Sequence, residues 1–202
     1  MPDVSTIEKK LLSLVRKAGF LRIRDSRKIG IHPEHFRRLY KKGLLQRPSR
    51  GLYVLSNTEP TVNRTLAEVA KQIPKGVICL LSALRFYGLT TQAPFEVWLA
   101  IDHKAWNPKK TYRAVRTVYF SGKAFTSGIK THQIEGVKVK IYSPAKTVAD
   151  CFKYRNKIGL DVALEALKDC LRQKKCTNDD LWKYAKICRV ANVMRPYLEA
   201  MR

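Results

Sequence analysis

The chain has 202 residues, enough for one large or two small domains, and its 45% of hydrophobic residues supports a packed core and excludes wholesale disorder. Forty Lys and Arg stand against 16 Asp and Glu, a net charge of +24 that exceeds what solubility calls for and favours polyanions, nucleic acid first. No apolar run approaches the ~18 residues of a membrane span, and the opening MPDVSTIEKKLLSLVRKAGF lacks the basic, apolar and small-residue order of a signal peptide, so a soluble cytoplasmic protein is expected.

Ser5 and Glu8 form an S-x-x-E capping box. Ile7, Leu11, Leu14 and Val15 then recur at helical spacing, predicting a helix over 6–18 that Gly19 stops. A second, short helix starts near Asp25 or Ser26 and ends at Gly30. His32 is a fair N-cap with Pro33 behind it, and a third helix follows over 33–42, closed by Gly43. LLQRP and GLYVL read as two short strands turned by Ser49, Arg50 and Gly51. Three helices and a hairpin in about 55 residues is the layout of a winged helix-turn-helix, here assigned to residues 1–56. The polar break SNTEP marks a boundary, and residues 60–202 form the second domain.

That domain opens with a helix over 61–73 and a short strand before a helix over 82–87. FEVWLAI, AVRTVYF, GIKTHQI and VKVKIY are strands, the last two joined by a Glu135-Gly136 turn. Helices follow over 144–154, 161–172, 178–187 and 190–201. The expected class is α+β: an N-terminal winged helix-turn-helix and a C-terminal domain of helices around a mostly antiparallel sheet. Trp98, Phe86, Tyr87 and Phe152 are expected in the core.

At 100° per residue, Phe36, Leu39 and Tyr40 fall on one side of the third helix and Glu34, Arg38 and Lys41 on the other, flanked by Arg37 and Lys42. An apolar back and a basic front suit the major groove, which admits one helix. Arg38 suits guanine, Glu34 suits cytosine, and His35 suits base or phosphate. Lys41 and Lys42 suit phosphate and the helix dipole. Arg47 and Arg50 flank the hairpin tip and suit the DNA backbone or minor groove.

Basic charge continues beyond the hairpin. Residues 104–140 hold nine basic residues and one acidic one, Glu135. Lys104, Lys109, Lys110, Arg113, Arg116, Lys138 and Lys140 make up a secondary patch that extends a DNA footprint or meets RNA or protein, and Trp106 and Tyr112 sit in its loop where bases stack. A nuclease centred on Asp102-His103-Lys104 and Glu96 lacks converging carboxylates. His32 and His35 lack a third ligand, and five cysteines without a CxxC pair are expected to be reduced and mostly buried. Neither enzyme chemistry, metal nor cofactor is expected. No dimerisation heptad is evident, which predicts a monomer.

Three stretches, RGLYVLS, SALRFYGLT and SPAKTVADCFKYRNKIGLDVALEAL, resemble the abortive-infection AbiEi antitoxins of type IV toxin–antitoxin systems. In the SAL-x-x-x-GL element Ser82 and Tyr87 stand in place. In the S-P-x-R-T-x-x-D element Thr147 and Asp150 match, and Lys146 replaces the usual arginine. The resemblance implies a phage-defence autorepressor that binds inverted repeats in its own promoter through the winged domain. It also implies an antitoxin domain acting against a nucleotidyltransferase-like toxin without a stable complex. Asp150 is expected on a helix, ordering Lys146 or a nearby basic group. The alternative is a stand-alone DNA- or RNA-binding regulator without a toxin partner.

Overall fold

The computed structural model describes residues 5–59, 61–105 and 115–201. The chain divides into two compact units: residues 1–72 with 133–138, and residues 73–132 with 139–202.

In the first unit α1 spans Thr6–Ala18, β1 Leu21–Arg22, α2 Ile23–Arg27, α3 Pro33–Lys41, β2 Leu45–Ser49, β3 Leu52–Leu55 and α4 Arg64–Gln72. The predicted capping box forms, with Ser5 Oγ accepting from Glu8 N and the Glu8 carboxylate accepting from Ser5 N. His32 caps α3 by accepting from Glu34 N, and Pro33 opens the helix. The strands form one antiparallel sheet in the order β1-β3-β2, with Leu21 opposite Tyr53 and Leu45 opposite Leu55. Leu11, Val15, Ile31, Phe36, Leu39, Leu45 and Tyr53 are buried in its core. Phe36 and Tyr53 hold the sheet to α3, with ring centroids 4.9 Å apart.

Tyr40 departs from expectation. It is 51% exposed, because it sits 100° from Leu39 on the far flank of α3. The helix over 61–73 starts late, at Arg64. Thr61 instead donates its N–H and hydroxyl to Glu135 Oε1. Gly19 has φ +66, and a Cβ there would strike the Glu135 carbonyl oxygen, so this close backbone approach needs glycine.

In the second unit β4 spans Val77–Ile78, α5 Leu80–Tyr87, β5 Val97–Asp102, β6 Val115–Phe120 and α6 Gly122–Thr126. Then β7 spans Ile129–Ile134, β8 Val137–Tyr142, α7 Pro144–Lys153, α8 Arg155–Ile158, α9 Leu160–Arg172, α10 Asn178–Ile187 and α11 Ala191–Ala200. Residues 133–138, the turn between β7 and β8, group with the first unit. The sheet order is β6-β5-β4-β8-β7. Its pairing is mixed: β4 meets β5 antiparallel, whereas β4–β8 and β5–β6 are parallel.

The helix α7 packs against α5, α9 and α10, and every residue from Pro144 to Phe152 is buried. Trp98 and Phe152 are core residues, as expected; Phe86 and Tyr87 are half-buried. Cys79, Cys151 and Cys188 are free and buried, but Cys170 and Cys176 pair as a disulfide, against the expectation that all five are reduced. The turn after α9 brings their Cα atoms to 6.0 Å, within disulfide reach.

Candidate nucleic-acid interface

The third helix divides into a buried back, an exposed front and two unequal flanks. Phe36 and Leu39 are fully buried. Arg38 and Lys41 are exposed on the front, with Glu34 half-buried beside them. Arg37 and Tyr40 extend that front on one flank, both exposed. Tyr40 was not expected here; its hydroxyl adds a donor of the kind that meets phosphate.

The opposite flank turns toward α1. Lys42 Nζ donates to Glu8 Oε2 at 2.9 Å, and Glu8 is only 2% exposed. His35, about two helical turns before Lys42, has a buried Nδ1 and lies near enough to Glu8 to favour its charge. The hydrogen bond from Lys42 is the largest cause holding the Glu8 carboxyl below its ordinary range, against the opposing effect of burial. Lys42 therefore serves the α1–α3 contact and His35 lies on the same flank, whereas Glu34, Arg37, Arg38 and Lys41 stay on the front. The wheel alone did not separate them, because Glu8 lies 34 residues from Lys42.

Arg47 and Arg50 are exposed on the hairpin. The pairing of β2 with β3 is regular at Gln46–Val54 and shifts before Ser49–Leu52, so Arg47 and Pro48 occupy an irregularity. Gly51 turns the tip at φ +74. Ser49 is buried, its hydroxyl accepting from Gln72 Nε2 at 2.7 Å. Among the described residues, Arg37, Arg38, Lys41, Arg47 and Arg50 make no ion pair. Five uncompensated cations on one helix face and its adjoining hairpin form a surface that polyanions neutralise.

Among the described residues of the secondary basic segment, Lys104 follows β5, Arg116 lies on β6, and Lys138 and Lys140 lie on β8. Lys109, Lys110, Arg113, Trp106 and Tyr112 lie outside the described residues. Lys104 is exposed, its backbone N–H donating to Asp102 Oδ1. Arg116 on β6 pairs with Glu96 at 2.8 Å and lies over the Trp98 ring at 4.8 Å. Lys138 and Lys140 are exposed on β8, which β5 and β4 separate from β6. Glu96 is thus committed to Arg116, and Asp102 lies 3.4 Å from His103 Nδ1. Among the described residues, no group of three His, Cys, Asp or Glu could hold a metal ion.

The motif residues of the second unit are mostly interior. Ser82 Oγ accepts from Trp98 N at 3.0 Å. Tyr87 hydroxyl lies 3.1 Å from His132 Nε2. Burial pushes the Tyr87 hydroxyl up to about 12 and the His132 imidazole down, and the ring's tautomer sets which of the two donates. Thr147 Oγ1 donates to the Tyr142 carbonyl. Lys146 and Asp150, both fully buried, are joined one turn apart on α7: Lys146 Nζ donates to both carboxylate oxygens at 2.6 Å. Nζ also lies over the Tyr142 and Phe120 rings, at 4.2 and 4.8 Å. Cys188 Sγ donates to Asp150 Oδ1 at 3.3 Å. Burial raises the Asp150 pKa, and Lys146 opposes that rise.

No helix of the described residues is long and apolar enough to cross a membrane. Among solved structures, the chain is similar to the crystal structure of the RV2827C protein from Mycobacterium tuberculosis. The TM-score is 0.62 at 12% identity, covering 98% of this chain and 81% of that one; the likeness is one of fold. No curated protein matches the sequence significantly. A family description, "Transcriptional regulator, AbiEi antitoxin", matches residues 9–56, from within α1 to the end of the hairpin, and SALRFYGLT and SPAKTVADCFKY lie beyond it. That segment, which carries the whole helix front and the hairpin arginines, is similar in sequence to AbiEi antitoxin transcriptional regulators.

Proposed function

We propose that the protein is a DNA-binding transcriptional autorepressor of the bacterial cytoplasm. It acts as the antitoxin of a type IV toxin–antitoxin pair whose toxin is nucleotidyltransferase-like and not held in a stable complex. The family match over 9–56 supports the regulator and antitoxin role. The observation that carries the DNA reading is the exposed, unneutralised front of α3 beside the hairpin arginines. In this reading α3 enters the major groove of a promoter inverted repeat. Arg38 donates two hydrogen bonds to guanine, Glu34 accepts from cytosine, and Arg37, Lys41 and Tyr40 meet phosphates. Arg47 and Arg50 hold the flanking backbone or minor groove. Residues 1–56 are the DNA-binding domain and 60–202 the antitoxin domain, with the outward lysines of β8 adding sequence-independent attraction. The chain is a monomer in solution.

The test is a gel-shift titration of the full chain with duplex from its own promoter, competed by unrelated duplex and by structured RNA. The promoter duplex should win, and affinity should fall steeply with salt. Preference for the RNA would overturn the assignment. Coexpression tests the antitoxin half: the chain should relieve growth arrest caused by an adjacent nucleotidyltransferase-like gene product, and unrelieved arrest would remove that half alone.

A further inference from the structure

Three segments far apart in sequence line one cleft of the second unit, with a volume of 590 Å³. They are the end of β6 with the start of α6, the end of α7, and the end of α10. That volume lies in the ~300–1,000 Å³ range typical of small-molecule sites. Lys123, Lys153, Lys186 and Arg189 all line it and all are exposed. Among the described residues none of the four makes an ion pair. The carboxylate in the lining, Asp150, already accepts two short bonds from Lys146, so it leaves the four cations uncompensated. Tyr119 and Tyr154 add aromatic surface. Tyr119 is 44% exposed, and Tyr154 is half-buried with its hydroxyl donating to the Tyr119 carbonyl.

The backbone supplies a second sign. Arg189 directly follows Cys188, the C-cap of α10, and has φ +58. Helices commonly end on glycine at this left-handed position, and another residue there costs about 1 kcal/mol. The chain thus keeps a guanidinium on the cleft where glycine would be the more stable choice, and strain of this kind gathers at ligand sites.

We propose that this cleft binds a nucleoside phosphate, its phosphates held among Lys123, Lys153, Lys186 and Arg189 and its base against Tyr119 and Tyr154. Four cations lining one cleft suit two or more phosphate groups, and the tyrosines suit a base by stacking. The site is independent of the helix front that the DNA reading uses.

Isothermal titration of the full chain with ATP at low salt tests it, with inorganic tripolyphosphate and adenosine as separate arms. ATP should bind saturably at one site, tripolyphosphate more weakly and adenosine least. Arg189→Gly should fold at least as stably as the wild type and lose about tenfold in ATP affinity, the worth of one charged hydrogen bond. Lys153→Ala with Lys186→Ala should lose more, whereas Arg47→Ala on the hairpin should leave ATP binding intact even if it impairs DNA binding. Tyr119→Ala should weaken ATP and spare tripolyphosphate. An absence of saturable ATP binding, or binding unchanged in Arg189→Gly and in the double lysine variant, overturns the site. Equal affinity for ATP and tripolyphosphate, with Tyr119→Ala silent, overturns the nucleoside assignment.

Discussion

Replacing Lys146 by methionine removes the cation from a buried carboxylate. Asp150 is fully buried, and its other side-chain partner is the Cys188 thiol. Removing one member of a buried ion pair typically costs about 3–5 kcal/mol. A ceiling follows from proton uptake. The stranded carboxylate can escape by protonating, which costs about 1.4 kcal/mol per pH unit above the ordinary aspartate range, so about 4 kcal/mol at neutral pH. The loss in Lys146→Met is therefore expected to be about 3–4 kcal/mol at pH 7 and to shrink by about 1.4 kcal/mol per unit as pH falls toward 4. The double variant Lys146→Met with Asp150→Leu should recover most of it, because a well-packed apolar pair avoids both desolvation costs. Urea unfolding of the full chain, followed by tryptophan fluorescence at several pH values, measures each step. A single variant that loses under about 1 kcal/mol at pH 7, or a loss that does not vary with pH, would refute the assignment of this pair as a structural bolt in α7.

The first unit carries further expectations. Lys42→Ala should cost about 1–3 kcal/mol by leaving the Glu8 carboxylate buried without its strongest partner. Because that carboxyl sits below its ordinary 4.5, the stability it adds is complete above that value and drains as pH falls through its lowered pKa; Lys42→Ala should flatten this acid-limb slope, read by thermal melts across pH. Gly19→Ala should destabilise more than an ordinary surface substitution, since both its φ and the Glu135 carbonyl resist a Cβ; an unchanged melting temperature would count against the close approach. Removing Arg47 and Arg50 together should lower the log–log salt slope of DNA binding by about 0.9 for each phosphate left unneutralised, and an unchanged slope would take the hairpin off the DNA.

Most of the local structure was legible in the sequence. Ser5 and Glu8, His32 and Pro33, and the alternation of VKVKIY each fix an element through neighbours a few residues away, and those elements form as expected. The two-residue strand β1 was not placed, because a period cannot be read from two residues; the short strand β4 was expected, but its parallel pairing to β8 was not. Glu34, Arg38 and Lys41 were placed correctly on an exposed-to-half-buried front by the wheel. The wheel could not show that Glu8 draws Lys42 aside, nor that Tyr40 stays outside the core, since both depend on tertiary packing. Asp150 ordering Lys146 was legible from their i,i+4 spacing. The cleft of the second unit was not, because its cations come from residues 123, 153, 186 and 189 and meet only in the fold.

The central claim is that the front of α3 reads base pairs, and Arg38→Ala tests it most directly. Full-length wild type and variant are titrated by gel shift on the promoter duplex and on a scrambled duplex of equal length. The variant should lose about 1–3 kcal/mol on the promoter and little on the scrambled sequence, so that discrimination falls toward one. Unchanged promoter affinity and unchanged discrimination in a folded Arg38→Ala protein would contradict the account.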